Sequence, residues 1–90
     1  MKNEKHNKFA PQIDASIDLH GLTEAAAISA VTLFLQKAES DESQRVRIIT
    51  GKGSGVLQKS VREWLRYKRY FFEHAKITEG GTGALIVTLY

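Results

Sequence analysis

Two residues with complementary chemistry, Asp18 and His20, lie two positions apart in the first quarter of the chain. They alternate with apolar residues, a pattern typical of a strand, so both side chains are expected on the same face of it. A carboxylate can orient an imidazole or bind a metal ion, and an imidazole exchanges protons near neutral pH. The pair therefore predicts acid–base chemistry of the kind that cleaves phosphodiesters. The alternative is structural, because Asp or His at a strand end can simply bond to the next loop or cap the neighbouring helix.

A glycine-rich segment follows a short β-branched run and is called the glycine loop below: Gly51-Lys52-Gly53-Ser54-Gly55. Its glycines let the backbone adopt positive φ and approach a ligand closely, and the helical pattern that follows would offer free N–H groups to an anion such as phosphate. A Walker loop needs Lys-Ser/Thr after its last glycine, and the dinucleotide fingerprint would need glycine at Val56, so no nucleotide cofactor is expected. The alternative is a tight strand-to-helix connection without a ligand.

Basic residues recur at spacings of three and four after the glycine loop, at Lys59, Arg62, Arg66 and Arg69. On a helix this spacing places them in one stripe beside the apolar face. The charge distribution agrees, since residues 51–90 hold seven Lys/Arg and three Asp/Glu, whereas residues 1–50 hold six and seven. The stripe predicts contact with a sugar-phosphate backbone. Alternatively, these basic residues only form the solvent-exposed face of the helix.

The elements that must position these residues follow from the periodicity of the apolar residues. Alternation over residues 13–19 predicts a first strand, and helical spacing predicts a first helix over residues 24–38 with Thr23 as its N-cap. A β-branched run over residues 45–50 predicts a second strand, and a second helix follows the glycine loop. A third strand to residue 77, a turn at residues 79–83 and a fourth strand over residues 83–90 complete the chain.

This order predicts an α/β fold: a two-layer β-α-β-α-β-β sandwich with a four-stranded mixed sheet and two helices. A strand-helix-strand succession normally forms a right-handed parallel crossover, and a short glycine turn makes the last two strands an antiparallel hairpin. The loops after the first and second strands then leave from the same carboxyl edge of the sheet. We therefore expect Asp18, His20 and the glycine loop to meet in space.

The composition is that of one soluble domain, with 90 residues of which 42% are hydrophobic and 26% charged. The chain has no cysteine, and neither His6 nor His74 has metal-site spacing with His20, so no disulfide and no structural zinc are expected. It has no apolar run of membrane-spanning length and no secretory signal, which predicts a cytoplasmic protein without a membrane partner. Residues 1–12 are interpreted as a flexible basic tail, and residues 13–90 as the domain.

Four segments of the chain resemble, in order and spacing, the motifs of the Smr (small MutS-related) domain. They are Asp18-Leu19-His20-Gly21-Leu22-Thr23, the stretch from Ile48 to Leu57 that contains the glycine loop, Trp64-Leu65, and Gly80-Gly81-Thr82-Gly83-Ala84. The resemblance covers residues 13–90, and it implies a fold like that of the C-terminal domain of a bacterial translation initiation factor.

The resemblance also implies binding of DNA or RNA and, in many members, endonuclease activity. The family's Asp-Leu-His-Gly motif points to Asp18 and His20 as catalytic residues, and its glycine loop points to Gly51, Lys52, Gly53 and Gly55. The chain departs from many members at one position, where Thr50 replaces a histidine just before the loop. Threonine is a poor proton carrier, so a mechanism that needs two histidines is in doubt here. His20 would then act alone or with a bound metal.

These observations lead to the hypothesis of a phosphodiesterase that nicks DNA or cleaves RNA. His20 is assigned as general acid or base, Asp18 orients it or holds Mg²⁺ or Mn²⁺, and Lys52 stabilises the phosphorane together with the loop amides. The nucleic acid would lie along the glycine loop and the basic stripe. The limited surface of so small a domain favours a homodimer or a larger nucleic-acid-associated partner. The alternative is a DNA- or RNA-binding module without chemistry, part of a ribosome- or recombination-linked assembly.

Overall fold

Four strands form one sheet in the computed structural model, which describes residues 12–89 of the chain. Two helices pack on one face of this sheet. The elements in chain order are β1 (Ala15–Asp18), α1 (Glu24–Ser40), β2 (Arg45–Ile49), α2 (Val56–Tyr67), β3 (Phe71–His74) and β4 (Ala84–Thr88). The predicted α/β fold, with a mixed sheet and two helices, is confirmed for this part of the chain.

The strand order is β1-β2-β4-β3, so β1 and β3 lie at opposite edges of the sheet. β1 and β2 are parallel, with Ala15 opposite Val46 and Asp18 opposite Ile49. β4 is antiparallel to both β2 and β3. The parallel pair finishes at one end of the sheet, so the turn after β1 and the glycine loop after β2 leave the sheet side by side.

The core lies between the sheet and the two helices. Alternate strand residues face the helices and are fully buried, including Val46 and Ile48 of β2 and Leu85 and Val87 of β4. Burial of each such side chain contributes roughly 1.5–3 kcal/mol to folding. The helices supply fully buried residues at helical spacing: Ala27, Val31 and Leu35 from α1 and Val61 and Leu65 from α2. The core thereby holds in place the end of the sheet where β1 and β2 lead into the candidate site.

Both helices begin where the sequence predicts. Thr23 caps α1, because its hydroxyl oxygen accepts the backbone N–H of Ala26 at 3.1 Å, and Glu24 lies in the first turn, where the helix dipole favours an acid. α1 ends at Ser40, beyond the predicted end at residue 38. α2 begins directly after Gly55. The φ of this residue is +86°, in the left-handed region, which glycine adopts more readily than other residues.

The connection between β3 and β4 differs from the prediction. β3 ends at residue 74 instead of 77, and the link that follows contains two short 3₁₀ turns, Ile77–Glu79 and Gly81–Gly83, instead of a tight hairpin turn. In this link, the carboxylate of Glu79 accepts a hydrogen bond from Arg45 Nη2 at 2.9 Å, and its carbonyl accepts one from Arg47 Nη1 at 3.0 Å. Both arginines point away from the helices, so they hold the link over the second face of the sheet, where Ile86 is fully buried. β4 is correspondingly shorter than the predicted strand, and Tyr90 lies outside the described residues.

Residues 1–11, which include His6 and nearly all of the predicted basic tail, lie outside the part of the chain that the structure describes. Within residues 12–89, neither helix has the length and apolar character needed to cross a membrane.

Candidate functional site

The turn after β1 brings the carboxylate of Asp18 and the imidazole of His20 together. Between them, Leu19 is fully buried and its N–H donates to the carbonyl of Ile49 at 2.7 Å, which anchors the end of the strand. Asp18 Oδ1 accepts a hydrogen bond from His20 Nδ1 at 2.7 Å and another from the His20 backbone N–H at 3.0 Å. The two side chains remain 52% and 70% exposed, respectively, so a ligand in solution can reach both.

The carboxylate determines which nitrogen of His20 is available for chemistry. An ionised carboxylate can only accept, so Nδ1 carries the hydrogen and Nε2 of the neutral ring keeps its lone pair. The hydrogen bond from the His20 ring, followed by the one from its backbone N–H, lowers the pKa of Asp18 against a smaller opposing effect of desolvation. Asp18 is therefore ionised near neutral pH, and His20 Nε2 can accept a proton from a substrate.

The glycine loop begins directly beside His20. Gly51 has a φ of +85°, and a Cβ atom at this position would lie 3.1 Å from the Cβ of His20. Both the backbone conformation and the space therefore favour glycine. The structure thus brings together His20 and the start of the glycine loop, as the parallel crossover of β1 and β2 predicts.

Gly83, at the end of the β3–β4 link, packs against the start of the glycine loop and is hydrogen-bonded to it. Its carbonyl accepts the N–H groups of Thr50 at 2.8 Å and of Gly51 at 3.1 Å. A Cβ at Gly83 would lie 3.0 Å from Lys52 Cγ and 3.1 Å from the carbonyl carbon of Gly51. The close approach of the two segments thus needs glycine at position 83, whereas the sequence predicts only a hairpin turn there. The glycine-rich stretch 80–83 was the available signal.

The remaining loop residues lie on the surface next to the first turn of α2. Lys52, Gly53, Ser54 and Gly55 are all exposed. The Ser54 hydroxyl oxygen lies 3.4 Å from the Val56 N–H, and Gly55 at the N-cap has no side chain with which to cap the helix. The loop therefore presents a lysine and the N-terminal end of α2 on the side of the molecule that holds His20.

Thr50, at the start of the loop, and Gln58, in the first turn of α2, are joined by a partly buried hydrogen bond. Thr50 is only 6% exposed, and its hydroxyl accepts a hydrogen bond from Gln58 Nε2 at 3.0 Å. The same Nε2 donates to the carbonyl of Thr82 at 3.0 Å. The role of Gln58 has no signal in the sequence, because its partners lie eight and 24 positions away and no local pattern marks them.

Three of the four predicted stripe residues lie on α2. Lys59 and Arg66 are exposed, whereas Arg62 is partly buried, and its Nε has no hydrogen-bond partner among the described residues. The guanidinium of Arg66 lies over the ring of Phe72, 5.5 Å from its centroid, which restrains it on the surface. We call Lys59, Arg62 and Arg66 the α2 stripe.

Arg69 does not belong to the α2 stripe, so this part of the prediction is wrong. α2 ends at Tyr67, and Arg69 lies beyond the C-cap residue in the left-handed conformation with φ of +65°. Its N–H donates to the Arg66 carbonyl and that of Tyr70 to the Leu65 carbonyl, which closes the helix end. Arg69 therefore lies at the end of α2 remote from the glycine loop.

The aromatic residues near this helix end divide between surface and core. Tyr67 is 79% exposed, and Lys68 Nζ lies 5.8 Å from its ring centroid. Tyr70 stacks on Trp64 with ring centroids 6.0 Å apart, and its hydroxyl donates to Glu39 at 3.2 Å. Trp64 and Tyr70 thus pack against the core, which leaves Tyr67 as the one of these three rings that is open to a ligand.

The donor set around Asp18 could hold a divalent cation only with help from a substrate. Within residues 12–89, no three His, Cys, Asp or Glu side chains gather in one place. His74 lies at the end of β3, the edge strand opposite to β1. Mg²⁺ is commonly held by one or two carboxylates together with substrate phosphates and water. Asp18 fits the protein's share of such a site.

The sequence matches the Smr domain family over residues 17–90. It is 33% identical over 90 residues to Endonuclease MutS2 of Clostridium botulinum, which covers 98% of this chain and 11% of that protein. The corresponding protein of Finegoldia magna is 35% identical over 91 residues, with 99% and 12% covered. The chain therefore spans about a tenth of the length of the curated relatives that it matches.

Solved structures show the same fold. The Smr domain of Thermus thermophilus MutS2 superimposes with a TM-score of 0.79 at 38% identity, and the match covers 84% of this chain and 98% of that domain. YdaL, a stand-alone small MutS-related protein from Escherichia coli, gives a TM-score of 0.74 at 28% identity, with 82% and 63% covered.

Proposed function

Because the chain belongs to the Smr domain family, we propose that it binds nucleic acid and cleaves a phosphodiester bond beside His20. The observation that carries this proposal is the 2.7 Å hydrogen bond between His20 Nδ1 and Asp18 Oδ1, which leaves Nε2 as a base next to the glycine loop. The MutS2 relatives are named endonucleases, and this chain matches one part of each of them. Pairing of a carboxylate with an imidazole is common where a histidine acts as a directed base.

The proposed reaction needs one proton carrier and one site for negative charge. His20 Nε2 removes the proton from the attacking oxygen, which is a water molecule or, in RNA, the neighbouring 2′-hydroxyl. As the new P–O bond forms and the bond to the leaving oxygen breaks, Lys52 and the free N–H groups at the start of α2 stabilise the charge on the phosphate oxygens. The imidazolium or a water molecule returns the proton to the leaving oxygen. Asp18 keeps the ring oriented and stabilises its charged form.

A divalent cation such as Mg²⁺ or Mn²⁺ would, when bound, neutralise charge on the scissile phosphate. If a cation takes part, Asp18 is the residue that would hold it in place of, or in addition to, orienting the ring, because Oδ1 accepts both hydrogen bonds from His20 and the second carboxylate oxygen takes no part in them.

Binding is assigned to a surface distinct from the acid–base pair. The α2 stripe continues from the glycine loop along the helix, so a sugar-phosphate backbone that follows it would lead into the loop. Arg66 is restrained over Phe72 and Arg62 is partly buried, so both lose less conformational freedom on binding than a freely moving arginine would.

The experiment that tests this function is incubation with supercoiled plasmid and with structured RNA, in Mg²⁺, Mn²⁺ or EDTA. His20→Ala is the active-site variant, and His74→Ala is its matched control, because His74 is an exposed histidine on the opposite edge strand. We expect cleavage by the parent protein and by the His74 variant, and none by the His20 variant. Analysis of the product termini separates attack by a 2′-hydroxyl, which leaves a cyclic phosphate, from attack by water.

A binding module without chemistry is the second candidate, and a specific observation favours it. The position where many family members have a histidine is occupied by Thr50, whose side chain is buried and bonded to Gln58. Within residues 12–89, His20 then provides the one imidazole beside the loop. Unchanged plasmid and RNA in all three conditions, together with salt-dependent binding, would support this second candidate and contradict the first.

A further inference from the structure

The side-chain amide of Gln58 joins the two glycine-containing segments behind the candidate site. Its Nε2 lies 3.0 Å from the hydroxyl oxygen of Thr50, at the start of the glycine loop, and 3.0 Å from the carbonyl of Thr82, next to Gly83. A primary amide has two N–H donors, so both hydrogen bonds can form at once. Gln58 therefore ties the first turn of α2 to both segments.

Thr50 extends this connection to the backbone that faces the site. While its hydroxyl accepts from Gln58, it can donate to the Gly83 carbonyl at 3.3 Å, the same carbonyl that accepts the N–H groups of Thr50 and Gly51. A Cβ atom at Gly83 would lie 3.0 Å from Lys52 Cγ, and one at Gly51 would lie 3.1 Å from the Cβ of His20, so each glycine lies near one of these two side chains. Hydrogen bonds therefore lead from Gln58 to Gly83 and Gly51, the two glycines that lie near Lys52 and His20.

We propose that Gln58 is a positioning residue that, through Thr50 and Gly83, sets the distance between His20 and the glycine loop, which starts at Gly51 and carries Lys52. The inference rests on the proposed function, since it concerns the same site. Glycine has the greatest backbone freedom of any residue, so a loop with three glycines depends on contacts outside the loop for a fixed conformation. Gln58 supplies such contacts, and its side-chain hydrogen bonds go to Thr50 and Thr82, neither of which is assigned to catalysis.

Thr50 accordingly has a structural role in this chain at the position where many family members carry a histidine. Its hydroxyl accepts a hydrogen bond from Gln58 Nε2 and lies 3.3 Å from the carbonyl oxygen of Gly83. The chain thus uses this position to order the glycine loop.

The test compares kcat and KM for the substrate that the parent protein cleaves, with variants that keep side-chain volume. Gln58→Met and Thr50→Val remove the hydrogen-bonding groups, whereas Thr50→Ser keeps the hydroxyl. Because a displacement of about 1 Å can cost about 10²-fold in rate, we expect the first two to lower kcat by roughly 10- to 100-fold with little change in KM. The double variant should be no slower than the slower single variant, since both break the same connection. Thr50→Ser should retain most of the activity.

An NMR measurement on the same variants reports the spacing whether or not the protein cleaves its substrate. The cross-relaxation signal between His20 and Gly51 should be weakened in Gln58→Met and kept in Thr50→Ser, with signals from the core unchanged. A Gln58→Met protein that loses thermal stability but keeps both kcat and this signal would overturn the proposal. If the parent protein does not cleave at all, the proposed function fails, and the His20–Gly51 signal still decides whether Gln58 sets the spacing.

Discussion

The Cβ of His20 lies so close to Gly51 that a Cβ atom at position 51 would come within 3.1 Å of it. The two residues belong to different loops, one after β1 and one after β2, and the parallel pairing of these strands brings the loops together. Gly51 therefore has two independent reasons to be glycine: the positive φ of its backbone and the position of the Cβ of His20.

We expect Gly51→Ala to destabilise the fold and to reduce cleavage, because alanine is strained at a φ of +85° and its methyl group would push against His20. The expected loss is about 1–2 kcal/mol in the free energy of unfolding, measured by urea denaturation. Gly53→Ala is the matched control within the same loop, because nothing lies within 4 Å of its Cβ position. Equal stability and equal cleavage in the two variants would contradict this account of the contact.

His20→Ala and Lys52→Ala should affect cleavage in different ways. Removal of a general base is expected to lower kcat by roughly 10²- to 10⁴-fold and to leave the affinity for nucleic acid nearly unchanged. Lys52→Ala should weaken both affinity and rate, because a cation beside the phosphate acts on the bound substrate as well as on the transition state. Fluorescence anisotropy with a labelled oligonucleotide measures affinity, and single-turnover cleavage measures the rate. A loss of affinity in His20→Ala as large as that in Lys52→Ala would contradict the division of roles.

Asp18→Asn tests whether the carboxylate orients His20 or holds a metal ion. The amide keeps the shape of the side chain but loses the charge that stabilises the imidazolium, so we expect a lower rate at every concentration of Mg²⁺ or Mn²⁺. This expectation follows from the 2.7 Å bond to His20 Nδ1, in which Asp18 Oδ1 acts as the acceptor. Rates are measured over a series of metal concentrations for parent and variant. A defect that disappears at high metal concentration would instead identify Asp18 as a metal ligand.

The apolar periodicity was sufficient to predict the fold and the position of the pair Asp18 and His20 next to the glycine loop. Both predictions depend on local patterns and on one topological rule, the parallel crossover, and neither needs knowledge of distant contacts. The β3–β4 link could not be predicted in this way. Its path over the second face of the sheet depends on the ion pair of Arg45 and Glu79, which are separated by 34 positions and lie in segments with unremarkable local patterns.

The end of α2 shows a second limit of the sequence pattern. The basic spacing continues smoothly to Arg69, but the helix closes with this residue in the left-handed conformation, a position that usually carries glycine. No glycine marks the helix end here, so the basic spacing alone wrongly predicts that Arg69 belongs to the helix. Gln58 was missed for a related reason, because hydrogen bonds of a side chain to distant backbone groups leave no periodic signal.

Neutralisation of the α2 stripe should reduce the salt dependence of binding. We expect Lys59→Gln, Arg62→Gln and Arg66→Gln together to weaken binding. The logarithm of the association constant decreases linearly with the logarithm of the salt concentration. The magnitude of this slope should become smaller by about 0.9 for each phosphate of duplex DNA that the variant no longer neutralises. Lys37→Gln is the control, because Lys37 is an exposed lysine on α1 that pairs with Asp41. Arg69→Gln should also have a smaller effect than any stripe residue. An unchanged slope in the triple variant would mean that the stripe is only solvated surface.

The ion pair of Arg45 and Glu79 should make the stability of the fold depend on pH in the acid range. The N–H of Lys76 and the guanidinium of Arg45 hold the pKa of Glu79 below its usual value of 4.5, against a smaller effect of desolvation. A lowered pKa in the folded state means that the ionised carboxylate stabilises the fold above that usual value and that this contribution is lost as the pH falls through the folded pKa. We therefore expect Glu79→Gln to cost about 1.5–3 kcal/mol at pH 7, because it removes a hydrogen bond between charged groups that are only 14% and 15% exposed.

The cost of Glu79→Gln should shrink as the pH falls below 4.5 and should nearly vanish once Glu79 of the parent protein is protonated. Urea denaturation of parent and variant between neutral and acid pH measures this difference directly. Glu63→Gln, which removes a carboxylate from the exposed surface of α2, is the control and should change the free energy of unfolding by less than about 0.5 kcal/mol at any pH. A cost of Glu79→Gln that is the same at pH 7 and in acid would show that the carboxylate contributes through its shape and not through its charge.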